Sequence, residues 1–476
     1  MRMRLNPFIC IALFIPLLAY SGKVTKEESP ESLFELGLNY LRGNDSLGIY
    51  MNKEKGIALI RRSAEQGNAE AQYCLGDCYA NGEGVLQDYA QAALWGRKAA
   101  EQGIAEAQFM LGAFYYAGYS VPQDYVQAAN WYRKAAEQGN SEAQYCLGDC
   151  YYKGQGVLQD YAQAVLWGRR AAEQGIAEAQ FMLGDCYYKG QGVPQDYAQA
   201  VSWWRKAADQ GYTYAQLNLG LCYYKGEGVP QDYTQSVYWY RKAADQGTAN
   251  AQYNLGLCYY KGEGVSQDYT QAVSWYRKAA ELGNASAQNS LGVCYEKGQG
   301  VPQDYTQAVY WCRKAADQGN VAAQFNLGGD YYYGEGISAD KTQAVYWWRK
   351  AAEQGNAIAQ YNLGLCYYKG EGVSQDYTQA VSWWRKAAEQ GDAAAQANLG
   401  NAYCKGEGVS QDYAQAVSWW RKAAEQGYAD AQYHLGFAYC KGEGVPQDYT
   451  QAFYWWRKAA EKGHSLAIEY LNNVRF

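Results

Sequence analysis

The sequence predicts an all-α solenoid, in which 36-residue repeats of two helices stack in a row. The main indication is a tryptophan that returns every 36 residues without slippage. These tryptophans are Trp95, Trp131, Trp167, Trp203, Trp239, Trp275, Trp311, Trp347, Trp383, Trp419 and Trp455. Apolar residues within each repeat follow helical spacing, and glycines return where helices must end. One such repeat cannot bury its apolar face alone, so we expect one continuous array.

Residues 1–21 are predicted to be a signal peptide, followed by a linker over residues 22–31. Two arginines precede a short apolar stretch from Phe8 to Ala19, and small residues near Ser21 fit a cleavage site. The stretch is short for a bilayer span, which needs about 20 residues. We therefore expect export to the periplasm or secretion without a stable membrane span, with an uncleaved anchor as the alternative.

The array begins with a divergent repeat, residues 32–68. Ser29 and Pro30 have the residue types of a helix N-cap and a first helical position. Eleven tandem repeats follow over residues 69–464, and residues 465–476 are predicted to form a single capping helix. Terminal units that differ from the internal ones are typical of solenoids.

Repeat six, residues 249–284, illustrates the internal unit. Helix A is predicted over Ala249–Lys261 and ends at Gly262, while helix B starts after the N-cap Asp268. Gln271 is expected to complete a capping box with Asp268. Trp275 should wedge between helices, so its removal should cost about 3–5 kcal/mol.

Other repeated positions are also predicted to be structural. A glutamine occurs in all eleven tandem repeats, from Gln72 to Gln432, and should bind backbone at the repeat junction. Seven of the 13 cysteines share one position, and they should be small buried residues because stacked helices lie too far apart for disulfides. The loop at residues 338–341 departs from the common pattern and predicts a local kink.

The repeat resembles the Sel-1-like repeat (SLR) family of the tetratricopeptide-like helical superfamily. In repeat six the resemblance is carried by Ala251, Leu255, Gly256, Tyr259, Gly262, Gly264, Val265, Asp268, Ala272, Trp275, Ala279, Ala280 and Gly283. It implies a right-handed α/α superhelical solenoid of antiparallel helix pairs, and a role as an adaptor or scaffold. A cysteine-rich branch of the family has been linked to β-lactamase-like activity, but it pairs two cysteines within each repeat and this sequence lacks those pairs.

We predict an exported, non-enzymatic, monomeric scaffold that binds a protein or peptide partner on its concave face and needs no cofactor or metal. A net charge of −6 without a basic stripe argues against nucleic acid as a partner. The chain has only two histidines, His434 and His464, and no nucleophile–base motif.

The candidate binding residues lie on helix A, on the side away from its buried ridge. Those predicted are Asn218, Asn254, Leu257, Asn326, Asn362 and Asn398, with Glu106, Glu142 and Asp149 forming an acidic entrance. Asparagine amides both donate to and accept from a peptide backbone, so this face should grip an extended peptide or a partner helix. Solvated polar filler is the competing interpretation.

Two further functional classes remain as alternatives. Paired tryptophans could offer sugar-stacking faces to a cell-wall glycan; these pairs are Trp203-Trp204, Trp383-Trp384, Trp419-Trp420 and Trp455-Trp456. The second class is a β-lactam or peptidoglycan hydrolase, for which the residues provide no nucleophile–base pair.

Overall fold

The structure, a computed structural model, describes residues 29–473 and their side chains up to residue 471. The predicted signal peptide and residues 22–28 of the predicted linker lie outside this range. The described chain contains 25 α-helices, one short 3-10 helix and no β-strand. It divides into two compact units, residues 29–232 and residues 233–473.

Short loops join successive α-helices in both units, and most of these helices have the same length as Ala249–Lys261. The helices of the first unit are α1 Pro30–Arg42, α2 Lys53–Glu65, α3 Ala69–Asn81, α4 Tyr89–Glu101, α5 Ala105–Ala117, α6 Tyr125–Glu137, α7 Ser141–Lys153, α8 Tyr161–Glu173, α9 Ala177–Lys189, α10 Tyr197–Asp209 and α11 Thr213–Lys225. The helices of the second unit are α12 Tyr233–Asp245, α13 Ala249–Lys261, α14 Tyr269–Glu281, α15 Ala285–Lys297, α16 Tyr305–Asp317, α17 Val321–Tyr333, α18 Lys341–Glu353, α19 Ala357–Lys369, α20 Tyr377–Glu389, α21 Ala393–Lys405, α22 Tyr413–Glu425, α23 Ala429–Lys441, α24 Tyr449–Glu461 and the shorter α25 Ser465–Asn473.

Odd-numbered helices are the helices A of the repeats, and even-numbered helices are the helices B. Within each unit, every helix A packs against the following helix B, which in turn packs against the next helix A. This arrangement confirms the all-α solenoid predicted from the 36-residue period.

The ends of the helices in repeat six follow the predicted capping residues. Gly262 adopts a left-handed φ of +75° at the end of α13, and its N–H donates to the Cys258 carbonyl at 2.8 Å. Asp268 caps α14 by accepting the Gln271 N–H at 2.9 Å. The predicted capping box is not completed, because the Asp268 N–H donates to the Tyr259 carbonyl at 3.0 Å.

The recurring tryptophan is a wedge between repeats, as predicted. Trp311 of α16 is 9% exposed and packs in one cluster with Tyr276 of the preceding helix B and Leu291 of its own helix A. The cluster therefore joins three consecutive helices. Small residues such as Ala272 and Ala279 let the helices approach closely enough for the ring to fill the gap.

The residue after this tryptophan fills a second gap, and the way it does so varies. Trp384 is 3% exposed; a Cβ added to Gly364 would lie 2.5 Å from its Cδ1. Its indole Nε1 donates to the Tyr361 carbonyl at 3.3 Å. In the first tandem repeat, the residue equivalent to Trp384 is Gly96. The methyl group of Met110, on the next helix A, occupies the space beside Gly96. Gly168 and Met182 repeat this exchange, so a methionine of the following helix compensates for the missing ring.

The recurring glutamine ties neighbouring repeats together. Gln360 Nε2 donates to the Ala352 carbonyl at 2.9 Å, which confirms the predicted backbone bond at the repeat junction. Its Oε1 accepts from Gln390 Nε2 at 2.8 Å. The equivalent donor for Gln252 is absent because residue 282 is leucine, and Gln252 Oε1 is buried without a hydrogen-bond partner.

Replacing Leu282 with glutamine should therefore raise the free energy of unfolding by about 0.5–1.5 kcal/mol, because it supplies the missing donor. Leu282 is 59% exposed, so its removal forfeits little packing. The matched control, Gln390→Leu, should lower the free energy by about 1–3 kcal/mol by leaving Gln360 Oε1 unsatisfied. Urea unfolding checks both variants, and a destabilised Leu282→Gln protein would refute the explanation.

Departures from the repeat pattern have modest structural effects. The predicted kink at residues 338–341 does not appear in the loop bonding: the Asp340 N–H donates to the Tyr331 carbonyl at 2.8 Å, as Asp376 does to Tyr367 at 2.9 Å. Backbone and cap bonds hold this loop, although the side-chain bonds from Gln375 to the Tyr368 carbonyl and the Tyr377 hydroxyl have no counterpart at Ala339. Ser29 caps α1 as predicted, accepting the Ser32 N–H at 3.3 Å.

The cysteines at the shared position are buried and unpaired, as predicted for small residues at a helix contact. They are Cys78, Cys150, Cys186, Cys222, Cys258, Cys294 and Cys366. Burial raises the pKa of the Cys258 thiol to about 12. These thiols are therefore protonated at neutral pH and act as packing groups.

Candidate functional site

One face of helix A combines access to solvent with variation along the chain. We define the helix-A outer face as the positions equivalent to residues 250, 253, 254 and 257 of α13. In α13 these positions are exposed or half-buried, whereas Leu255 beside them is completely buried. Leucine occupies the Leu255 position in all eleven tandem repeats, but the Leu257 position varies among acidic, apolar, amide and glycine residues. The packing thus fixes one side of the helix and leaves the other side free to vary.

The first unit makes this face acidic. Glu106, Glu142 and Glu178 lie in the first turns of α5, α7 and α9, which are successive helices A. Burial raises the pKa of the Tyr145 hydroxyl, and the nearby carboxylates of Asp149 and Glu178 raise it further. Carboxylates of two neighbouring repeats thus act on this one hydroxyl.

The predicted acidic residues differ in how available they are. Asp149 is only 8% exposed, and its Oδ2 lies 2.6 Å from Lys153 Nζ. Glu142 is half-buried and accepts a hydrogen bond from the Ser141 hydroxyl at 2.9 Å. Glu106 is half-buried and Glu178 is exposed, and neither forms an ion pair within residues 29–473. The structure therefore retains Glu106 and Glu142 as candidates, adds Glu178, and places Asp149 in an intrahelical ion pair.

Aromatic rings accompany these acids, a feature that the sequence reasoning missed. Tyr73, Phe109, Tyr145 and Phe181 occupy equivalent half-buried positions on four successive helices A. Their regular spacing was visible in the sequence, but it resembled the spacing of the buried ridge. We call these four rings the aromatic floor of the helix-A outer face in the first unit.

The predicted asparagines lie at a junction rather than on an open surface. Asn218, Asn254, Asn326, Asn362 and Asn398 are all half-buried. Each occupies the helix-A position of Met110, the residue that fills the gap at Gly96 of the preceding helix B. Asn326 Nδ2 donates to Asn289 Oδ1 of the preceding repeat at 3.2 Å. These amides therefore cover core side chains while presenting a partly accessible edge, and Leu257 is half-buried beside them.

Most rings of the tryptophan pairs are not available as sugar-stacking faces. Their second members, Trp204, Trp384, Trp420 and Trp456, are 1–5% exposed. Three of the four first members are covered by lysine: Lys206 Nζ lies 3.9 Å from the Trp203 ring centroid, Lys386 Nζ lies 4.0 Å from that of Trp383, and Lys422 Nζ lies 4.1 Å from that of Trp419. These rings are occupied by packing and cation–π contacts, so they are unsuited to bind a glycan.

The two histidines lie together near the end of the array. His434 stacks on Trp420 with ring centroids 5.2 Å apart, and burial lowers its pKa. His464 Nδ1 accepts the Ala467 N–H at 3.2 Å, and its Nε2 lies 3.4 Å from Asp430 Oδ1. Both imidazoles thus have packing or capping roles.

Across residues 29–473, no group of three or more histidine, cysteine or carboxylate side chains has an arrangement that could hold a metal ion. Among the helices described, none is long and apolar enough to cross a membrane.

Comparison with protein families finds a match over almost all of the described chain. The family model described as Sel1 repeat matches consecutive segments at residues 30–68, 69–104, 105–140, 141–176, 177–212, 213–248, 249–284, 285–320, 321–356, 357–392, 393–428 and 429–464. These boundaries coincide with the helix pairs seen in the structure.

Two solved structures and one curated protein illustrate the similarity. A protective antigen present in uropathogenic Escherichia coli strains, which displays an SLR fold, is 43% identical; the match covers 86% of this chain and 88% of that one, with a TM-score of 0.75. A Sel1 repeat protein from Oxalobacter formigenes is 36% identical over 66% of this chain and 93% of that one, with a TM-score of 0.54. An exopolysaccharide production negative regulator of Rhizobium leguminosarum bv. viciae is 31% identical over 94 residues, and the match spans 19% of this chain but only 33% of that relative.

Proposed function

Because the chain belongs to the Sel1 repeat family, whose fold serves protein interaction, we propose that it is a non-enzymatic scaffold that binds a protein or peptide along its helix-A outer face. The observation that carries the proposal is the contrast between adjacent positions of helix A. Leu255 and its equivalents are buried and identical, whereas Leu257 and its equivalents differ in character among the repeats. A face that packing does not constrain is where a solenoid acquires specificity for a partner.

The chemistry of the face indicates what the partner carries. In the first unit, Glu106, Glu142 and Glu178 follow one another on neighbouring helices above the aromatic floor. Lysine or arginine side chains satisfy both features, through charge-assisted hydrogen bonds to carboxylates and cation–π contacts with rings. We therefore propose an extended basic segment as the ligand of the first unit.

In the second unit, we propose that Asn254, Asn362 and Asn398 bind the partner through the accessible edges of their amides and not through charge. An amide both donates and accepts, so it can pair with the peptide groups of an extended chain whatever its sequence. Leu257 and its equivalent Leu365 add apolar contact beside them.

We also propose that the protein is exported by a signal peptide at residues 1–21. This part of the proposal rests on the sequence of that segment.

A binding experiment with matched charge variants tests this function. Peptides selected from a random display library on the full chain should be enriched in lysine and arginine. The triple variant Glu106→Gln/Glu142→Gln/Glu178→Gln should weaken their binding by about 3–150-fold, since exposed ion pairs contribute about 0.2–1 kcal/mol each. Isothermal titration calorimetry gives the dissociation constants.

The control removes the same charge from helix B. Glu137, Glu173 and Asp209 are exposed at the ends of α6, α8 and α10. The variant Glu137→Gln/Glu173→Gln/Asp209→Asn should bind as the unmodified protein does, and both variants should keep its urea midpoint. Equal weakening by the two variants, or selected peptides without basic residues, would contradict the proposal.

A further inference from the structure

Repeat eight carries a carboxylate at a core position that is otherwise uncharged. Asp330 of α17 occupies the position that is a buried cysteine in seven tandem repeats. The three remaining repeats have Phe114, Ala402 and Ala438 there, each no more than 2% exposed. Asp330 Oδ2 is buried and has no hydrogen-bond partner. Asp330 as a whole is half-buried, and repeat eight is the one tandem repeat of the eleven that has an acid at this position.

A second substitution places another acid nearby. Glu296 of α15 stands where Tyr188 and Tyr368 stand in other repeats. Those tyrosines donate to a glutamate in the loop of the next repeat, as in the 2.8 Å bond from Tyr188 to Glu227 and the 3.0 Å bond from Tyr368 to Glu407. The corresponding glutamate for Glu296 is Glu335, so a donor–acceptor pair has become a pair of like charges.

The cation found near this glutamate in other repeats is also missing. Lys225 pairs with Glu227 at 3.6 Å, and Lys405 pairs with Glu407 at 3.9 Å. The equivalent residue before Glu335 is Tyr333, which is 71% exposed. Within residues 29–473, no ion pair involves Glu296, Asp330 or Glu335. Both glutamates lie close enough to raise the pKa of Asp330, so three carboxylates share this joint without an ion pair in the described chain.

The remaining groups around α17 do not neutralise Asp330. From α16, Cys312 lies close enough for Asp330 to raise its pKa further than burial alone does, while Arg313 donates to the Tyr331 hydroxyl at 2.6 Å. From α18, the uncharged Trp348 packs against Gly328, and Lys341 pairs with Glu371 at 3.1 Å. Both of these cations on the adjoining helices B are engaged with other residues.

We propose that the joint between repeats seven and eight is a proton-controlled element of the array, closed when Asp330 is protonated and loosened when it ionises. The protonated carboxyl is neutral and tolerates burial beside Glu296 and Glu335, whereas the carboxylate draws in water to be solvated. The device goes beyond partner binding, because it would change the order of the helix-A outer face at this joint in response to pH.

The direction and range of the pH response follow from linkage. Burial first, then Glu296 and Glu335, raise the pKa of Asp330 from 3.8 to about 7. Stability from the neutral form is fully present below pH 3.8, declines as the pH rises, and is lost above about 7. The joint should therefore be tighter in mildly acidic than in alkaline solution.

Hydrogen–deuterium exchange of the full chain measures this joint directly. Once rates are corrected for intrinsic exchange, amides of α17 should be at least about tenfold less protected at pH 8.5 than at pH 5.5. Helix α19 is the internal control, because Cys366 occupies the same position there. Its protection should change much less.

Three variants separate the proposal from a general pH effect. Asp330→Cys restores the common residue and Asp330→Asn keeps the shape without the charge, so both should abolish the difference between the two pH values in α17. Glu296→Tyr restores the donor to Glu335 and should shift the midpoint of the change to lower pH. An unmodified protein with equal protection at both pH values, or Asp330 variants that retain the difference, would overturn the proposal.

Discussion

Replacing Trp384 with glycine should lower the free energy of unfolding by at least about 3–5 kcal/mol. The indole is 3% exposed and packs against Gly364, and its Nε1 bonds to the Tyr361 carbonyl. Its removal leaves a cavity that alanine-rich helices cannot close by local movement. Urea unfolding, fitted with nearest-neighbour coupling between repeats, gives the loss.

A compensating substitution provides the control for this prediction. Asn398 lies on the helix A that follows Trp384. It has the same position relative to Trp384 as Met110 has relative to Gly96. The double variant Trp384→Gly/Asn398→Met recreates the pair formed by Gly96 and Met110 and should recover part of the lost stability. If the double variant is no more stable than Trp384→Gly alone, a methionine of the following helix A cannot fill the space that the ring leaves, and the explanation is wrong.

Replacing Gly156 with alanine should cost about 2–5 kcal/mol, from left-handed backbone strain and overpacking together. Gly156 has a φ of +73°, and a Cβ there would overlap the backbone carbonyl of Tyr125 in the preceding repeat. The substitution thus forces apart a loop and the helix on which it rests. The urea midpoint should fall accordingly.

A second glycine in the same repeat separates strain from contact. Gly175 has a φ of +98°, but nothing lies within 4 Å of a Cβ built on it. Gly175→Ala should therefore cost only about 1–2 kcal/mol. Equal losses for the two variants would show that close packing of the Gly156 loop does not hold the repeats together.

Local rules explain why so much of the fold could be predicted from the sequence. Gly262 and Asp268 set the helix ends through conformational and capping preferences that act over a few residues. The tryptophan wedge and the bond from Gln252 to backbone follow from their repetition, because a feature shared by all repeats serves what all repeats do. The same reasoning failed for the capping box, where a longer-range bond from Asp268 to Tyr259 took the backbone donor.

The candidate site was less predictable because its side chains depend on neighbours in other helices. Asn398 appeared to be a surface amide, but its register places it beside the second aromatic residue of the preceding helix B. Asp149 appeared to be an open carboxylate, but Lys153 neutralises it one turn later. Phe109 was overlooked because its spacing does not distinguish a half-buried floor from a core.

Site-specific photo-crosslinking most directly tests whether the helix-A outer face is the binding surface. A benzophenone amino acid would replace either Phe109 on α5 or the exposed Asn130 on α6, in the full chain with a selected basic peptide bound. If the helix-A outer face is the binding surface, the peptide will crosslink at position 109 and not at position 130. Crosslinking that favours position 130, or that is equal at both, would contradict it.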